Sequence, residues 1–519
     1  MRSIACFAVA ALLVALSPAN AATSATQYGI TWTFDGDSTV GQFATGDWWV
    51  VGPVTIVDIS TDRHDDGFVP GDGDDGSMLN PNATGLQGYE DGLGSYRANL
   101  NAALPNGQPV SASNPLVLQP GSSLVSQVSW LYKEDGTKEE GCPTLSGSTG
   151  TPRPATRSGA ILTVLAEPAP AGSFRPAYCG SDKTVTFNVA DLNLDALKDL
   201  DPVGNEPDVA TLAGRIQRPW IDHVHEWAGA MLHPSENMPN YGRDMAKILA
   251  DVALLANVDF AQLPGSPDKL DLLIPYVQFG IDCAGIADVG GGWPCNGGHG
   301  PGRKLPILVA GLLLDDPHML GCGGWTTDFH DDMQTFYVTQ ETVDITNGPN
   351  WNPDPRADLE PYEVSDIGMP EWGIRHATRP TADNRAWNAT YRSVNGAVIP
   401  SQALAAAIMG LRDDWNHEAY FDYAVRYMNV TDGGGTGTNA PSPFARALWT
   451  AYADTTLLPQ PGDADGDGDV DLDDFAALKV NFGATSDATW ADGDFDGDGD
   501  VDLDDFTILK QNFGATADQ

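Results

Sequence analysis

Between residues 27 and 190 apolar and polar positions alternate, the two-residue period of strands that bury one face. Tyr28-Gly-Ile-Thr-Trp-Thr-Phe34, Trp48-Trp-Val-Val-Gly-Pro-Val-Thr-Ile-Val57, Ser123-Leu-Val-Ser-Gln-Val-Ser-Trp130, Ala160-Ile-Leu-Thr-Val-Leu165 and Lys183-Thr-Val-Thr-Phe-Asn-Val189 carry it. Short strands with long polar connections predict a β-sandwich over 27–190. From 195 to 455 the period lengthens to that of helices: Met245–Ala256, Asp268–Ala284, Leu305–Leu314, Ser401–Leu411, Glu418–Met428 and Phe444–Ala453. Loops rich in Gly, Pro, Trp and Asn join these segments. Paired helices with such loops predict an α/α toroid-like helical domain whose loops gather at one rim.

After residue 459 the pattern changes again. Asp463-Ala-Asp-Gly-Asp-Gly-Asp-Val-Asp-Leu-Asp-Asp474 is nearly repeated by Asp494-Phe-Asp-Gly-Asp-Gly-Asp-Val-Asp-Leu-Asp-Asp505. Carboxylates this close repel one another unless a cation lies between them, and the spacing suits a hard ion such as Ca2+, one per loop. Asp463, Asp465 and Asp467 stand at positions one, three and five, and Gly468 at the sharp turn of position six. Asp469 offers a backbone carbonyl at seven, Asp471 stands at nine, and Asp474 closes at twelve. Asp494, Asp496, Asp498, Asp500, Asp502 and Asp505 repeat the set around Gly499. Val470 and Val501, at position eight, are expected to pair the two loops. Phe475, Leu478 and Phe482 predict a helix ended by Gly483; Phe506, Leu509, Phe513 and Gly514 repeat it. Pro459 and Pro461 argue against a helix before the first loop.

Duplicated loop-then-helix units of this kind resemble a type I dockerin domain, and the resemblance covers residues 459–519. It implies a paired calcium module that contacts a cohesin-type partner through positions ten and eleven and the helix that follows. Those positions are Leu472 and Asp473, and Leu503 and Asp504. It also implies two binding orientations related by pseudo-twofold symmetry.

Met1-Arg2-Ser3, an apolar run from Ile4 to Leu16 and Ser17-Pro-Ala-Asn-Ala21 have the layout of a signal peptide cleaved after Ala21, which predicts a secreted protein. The apolar run is too short to span a bilayer, and no later segment is expected to be long and apolar enough to do so. Five cysteines remain after cleavage, in a compartment that permits disulfides. Cys142–Cys179 and Cys283–Cys295 are the nearest pairings, leaving Cys322; sequence does not fix the connectivity. No zinc spacing is present. The net charge of -44 disfavours a nucleic-acid partner. Asp65-Asp-Gly-Phe-Val-Pro-Gly-Asp-Gly-Asp-Asp-Gly76 reads as an acidic turn more than as another calcium loop, because its ligand phasing is poor.

Three loop clusters carry candidate chemistry. In Trp293-Pro-Cys-Asn-Gly-Gly-His-Gly-Pro-Gly-Arg-Lys304, His299 could act as a base while Asn296, Arg303 and Lys304 hold an anionic group; otherwise the glycines merely shape a loop. In Pro370-Glu-Trp-Gly-Ile-Arg-His376, Glu371, Arg375 and His376 flank Trp372, a platform for a sugar face or else a packed ring over a buried ion pair. In Trp220-Ile-Asp-His-Val-His-Glu-Trp227, His223 and His225 share a face only on a strand, and a metal pair there is disfavoured. Tyr241, Arg243 and Asp244 open a helix nearby, where Asp244 also suits a first-turn carboxylate.

Two mechanisms fit this inventory. A polysaccharide lyase would neutralise a uronate with Arg303 and Asn296 and use His299 and Tyr241 on the C5 proton. A glycosidase would oppose two carboxyl groups, for which Asp244 and Glu371 are the candidates. Both mechanisms make the chain a secreted polysaccharide-degrading enzyme attached through its C-terminal module. The alternative is a noncatalytic extracellular glycan-binding or matrix protein. Gly-x-Ser-x-Gly and phosphate-loop signatures are absent from the central region.

Overall fold

The computed structural model describes residues 19–62, 75–82, 87, 101–130, 142, 156–223, 242–295, 298–349, 361–373, 395–431, 434, 440–457, 461–464, 469–485, 488–495 and 499–515. The chain divides into two compact units, Met1–Ala445 and Arg446–Gln519.

Eight strands of the first unit form one sheet: β1 (Asn20–Gln27), β2 (Ile30–Gln42), β3 (Trp48–Val51), β4 (Val54–Thr61), β5 (Gly76–Leu79), β6 (Leu116–Leu118), β7 (Ser122–Ser129) and β8 (Thr156–Leu165). Their order is β5-β7-β8-β3-β2-β4-β6, with β1 also on β2. The 13-residue β2 organises the sheet. β1 follows one of its edges, while β4 takes the first half of the other edge and β3 the second half. The two branches diverge from β2 and curl over a shared core of Ile30, Trp32, Ile56, Leu124, Val128 and Leu162. Trp32 on β2 donates its indole N–H to Ser126 Oγ on β7 at 3.0 Å. The architecture is a half-barrel built from one continuous sheet, which corrects the expected two-sheet sandwich. A two-residue period marks the buried face of each strand; it does not say which strands pair.

The alternating run Lys183–Val189 is not a strand. Lys183 is buried, and its ammonium donates to the carbonyl oxygens of Ala177, Tyr178, Cys179 and Gly180 at 2.7, 3.3, 2.9 and 2.7 Å. Residues 177–180 wrap around this ammonium, and an isolated bridge joins Ser173 to Asn188.

The helical region contains α1 (Val209–Gly214), α2 (Gly242–Ala256), α3 (Leu270–Asp288), α4 (Lys304–Leu313), α5 (Pro317–Leu320), α6 (His330–Gln334), α7 (Gln340–Thr346), α8 (Ile399–Ile408), α9 (Arg412–Trp415), α10 (Glu418–Val430) and α11 (Pro443–Thr456). All six segments with helical periodicity are helices. α3 packs on α4, and α2 touches α3, α4 and α8. Gly280 permits the close α3–α4 approach, since a Cβ there would lie 2.3 Å from Pro306 O. A two-stranded ribbon, β9 (Thr335–Tyr337) with β10 (Pro370–Trp372), lies against α10. α3 is long and apolar enough to cross a bilayer, contrary to expectation, but 67% of its most apolar window is buried inside the unit. That burial identifies a core helix.

Within the first unit Arg175 joins the sheet to the helices. Its guanidinium donates to Asp47 Oδ2 at 2.8 Å, next to β3, and to both oxygens of Asp282 on α3 at 2.9 and 2.6 Å. No disulfide is seen among the described residues, the expected Cys142–Cys179 and Cys283–Cys295 pairings included. Cys283 faces the core from α3, beside Tyr276, and burial pushes its thiol pKa far up.

The second unit carries α12 (Leu472–Asn481) and α13 (Leu503–Asn512) after the two acidic loops. Gly483 and Gly514 follow with φ of 95° and 83°, the left-handed conformation that glycine adopts most readily. Val470 and Val501 are buried in a common core with Leu478, Phe495 and Leu509. Their backbones bond the opposite repeat's exit. The Val470 N–H donates to Ala515 O at 3.0 Å and its carbonyl accepts from Gly514 at 2.7 Å. Val501 makes the equivalent bonds with Ala484 and Gly483 at 3.1 and 2.8 Å. Each loop is thus tied to the chain leaving the other repeat's helix, a twofold-like exchange that local spacing does not reveal.

Candidate functional site

In the second unit each loop gathers three carboxylates. Asp469, Asp471 and Asp474 bring one oxygen apiece within 4.8 Å of one another, and Asp500, Asp502 and Asp505 do the same. The closing aspartates are buried and anchored at both oxygens. Asp474 accepts from the N–H groups of Ala464 and Asp471 at 2.6 and 2.7 Å. Asp505 accepts from Phe495 and Asp502 at 2.6 and 2.8 Å. Asp471 and Asp502 in turn cap α12 and α13, accepting from Asp473 and Asp504 at 2.7 Å in both cases. The helix starts therefore fix the carboxylates in place. Asp469 joins the cluster through its side chain, where the sequence reading gave it a backbone carbonyl. Asp463 and Asp494, at position one, are buried beside these groups. An all-oxygen, multiply anionic donor set fits a hard divalent ion and suits neither zinc nor copper. Asp465, Asp467, Asp496 and Asp498 lie outside the described residues.

In the first unit the cluster before α4 folds inward. Arg303 is buried and bonds Asp222 through Nε at 2.8 Å and Nη2 at 3.1 Å. Burial alone would lower the Arg303 pKa, but Asp222 outweighs it and the net shift is upward. Asp222 also accepts the Trp293 indole N–H at 3.0 Å. Lys304 is buried too; it donates to Asp332 Oδ2 and Trp415 O at 2.5 Å each and lies over the rings of Phe329 and Trp415. Gly302, at φ 91°, donates its N–H to Asp331 Oδ2 at 3.0 Å. A Cβ there would lie 2.7 Å from Ala246 Cα, so only glycine lets the loop reach that carboxylate.

Burial pushes the Asp331 carboxyl up to about 7 and the neighbouring His330 imidazole down to about 3. Asp331 Oδ1, the Tyr420 hydroxyl and both amide atoms of Gln402 are buried and reach no hydrogen-bond partner among the described residues. Burial, and with it the Asp331 charge, raises the pKa of the Tyr420 hydroxyl. Both groups lie beneath the surface, since Asp331 and Tyr420 are 3% and 0% exposed.

His299 and Arg303 disfavour charge on His330, and Arg303 and Lys304 favour it on Asp331. Glu371 does not join them. It is buried, accepts the Tyr362 hydroxyl at 2.8 Å and pairs with Arg426. Trp372 is 1% exposed, so it packs in the core and offers no platform to a sugar. Asp244 sits in the first turn of α2, 3.1 Å from Arg243 Nε. His223 is buried with Nδ1 3.4 Å from the Tyr178 hydroxyl. Tyr241, Asn296, Arg375, His376 and His225 lie outside the described residues, as do residues 65–74 of the acidic turn. A cavity of about 450 Å³ between residues 174–187 and α3 and α5 contains none of the nominated residues.

Sequence reasoning passed over Asp222, Asp331, Gln402 and Tyr420. Asp222 lay in a motif read for its histidines. Asp331 had a signal in Phe329-His-Asp-Asp332, two acids beside aromatic and apolar neighbours. No protein-family model matches the chain, and no curated protein or solved structure matches it.

Proposed function

We propose that this is a secreted protein whose second unit is a dockerin-type, calcium-dependent docking module and whose first unit acts on polysaccharide. The observation that carries the proposal is the pair of equivalent carboxylate triads, each fixed by the start of its own helix. Leu472 and Leu503, at position ten of each loop, are 67% and 68% exposed, which supports a role in contacting a cohesin-type partner. α2 touches both α4 and α8, an arrangement consistent with a closed helical array such as a toroid. Calorimetric titration of the chain with Ca2+ tests the module: two sites are expected, and no heat together with unchanged circular dichroism refutes it. A polysaccharide panel tests the first unit. Unsaturated-uronate absorbance selects a lyase, and new reducing ends without it select a glycosidase.

One observation favours a second reading, a noncatalytic glycan-binding protein. Glu371, Arg303 and Lys304 all sit in buried pairs, where each already stabilises the fold. Glycan affinity without turnover, with calcium present, would select that reading.

A further inference from the structure

The two loops are not equivalent in how they are held. Trp490 opens a short turn, Trp490–Asp492, whose preceding Thr489 donates to Asp492 Oδ2 through N at 3.0 Å and Oγ1 at 2.6 Å. Asn481, at the end of α12, donates to Asp492 O at 3.0 Å. Gly493, at φ 100°, lets the turn rest on α12, since a Cβ there would lie 2.6 Å from Leu478 Cα. The turn and α12 thus fix the direction of the indole. Its Nε1–H donates to Asp463 O at 2.5 Å, position one of the first loop. Its ring meets Phe495, position two of the second loop, edge-on at 5.3 Å. Four residues before Asp463, the place that Trp490 holds relative to Asp494, the chain has Pro459, whose side chain carries no donor.

From this asymmetry we infer that Trp490 is a positioning residue for the first calcium loop only, with the second repeat's turn holding the first repeat's leading ligand residue in register. The inference rests on the calcium reading of the loops. The residue itself touches no ion. It acts by fixing the backbone of Asp463, so that this residue need not be ordered when the ion arrives. In the second loop Gly499 N–H donates to Asp494 Oδ2 at 2.9 Å, and the indole N–H is engaged with Asp463 O of the first loop.

The test is calcium calorimetry on the full chain carrying Trp490→Phe, which removes the donor and keeps a ring against Phe495. It is combined with Asp494→Ala to isolate the first loop, or with Asp463→Ala to isolate the second. Loss of one hydrogen bond predicts about fivefold weaker binding in the first-loop background and no change in the second. If the single-loop backgrounds do not fold, chelator-triggered calcium release from chains differing only at Trp490 replaces them; Trp490→Phe should then speed one of two phases and spare the other. Equal weakening of both sites, or no weakening, overturns the inference while leaving the calcium reading intact. A parent chain that takes up no calcium overturns both.

Discussion

Arg303 and Asp222 meet in a two-point ion pair, 2.8 and 3.1 Å long, with both side chains buried. Removing one partner of such a pair strands the other charge away from water. Arg303→Met is therefore expected to cost about 3–5 kcal/mol. Arg303→Lys should recover only part of this, because an ammonium cannot reproduce the fork that also reaches Pro301 O at 2.6 Å. Urea denaturation followed by tryptophan fluorescence measures both, and a loss below about 1 kcal/mol for Met would show that the pair is not structural.

Asp331 predicts a pH effect of definite sign. Its folded pKa, about 7, lies above the ordinary 3.8. The folded chain therefore holds this proton more tightly than the unfolded chain. The stability it contributes is complete below pH 3.8 and is lost as pH rises through about 7. Asp331→Asn can still accept from Gly302 and has no charge to bury. Melting curves should show wild type losing ground to this variant from pH 4 to about pH 7, with the difference constant above that. A difference that does not vary with pH would contradict the burial argument.

Glu371 separates chemistry from structure. If it were one of two glycosidase carboxyls, Glu371→Gln would abolish turnover and leave stability unchanged. Its pairing with Arg426 and Tyr362 predicts the reverse order of effects, a stability loss of about 3 kcal/mol with any activity falling only as the fold is lost. Denaturation and turnover measured on the same preparation decide between them.

Lys183 donates to four consecutive carbonyl oxygens. Lys183→Met keeps the stem and removes the donors that serve these carbonyls. A loss of about 2–4 kcal/mol is expected. Faster amide exchange should be concentrated at residues 177–187. Unchanged exchange there would mean that the loop holds its shape without the ammonium.

Replacing Asp463 and Asp494 together with alanine should abolish the calcium-induced helicity of residues 459–519 and leave the melting transition of the first unit in place. Differential scanning calorimetry with and without a chelator checks this. Loss of the first unit's transition would show that the two units do not fold independently.

The repeats at the C-terminus were legible because each is a local code. Aspartates at alternate positions, a glycine at the turn and apolar residues at helical spacing lie within about thirty residues of one another and need no partner elsewhere to be recognised. The six helices between residues 242 and 456 were legible for the same reason. Site residues in its loops were legible as candidates but not in their roles, since Trp372 looks the same in sequence whether it faces a sugar or the core.

The sequence by itself determined the duplicated acidic loops, the helical periods and the chemical inventory, because these depend on neighbours along the chain. Only the tertiary structure decided that the strands form one curled sheet, that Val470 is tied to the far repeat's exit, and that Arg303, Lys304 and Glu371 are committed to partners. Arg175 and Asp47 are 128 residues apart, and Arg303 and Asp222 are 81 apart. Charges so distant in sequence find each other only when burial removes water as the competing partner, and that happens after the chain has folded.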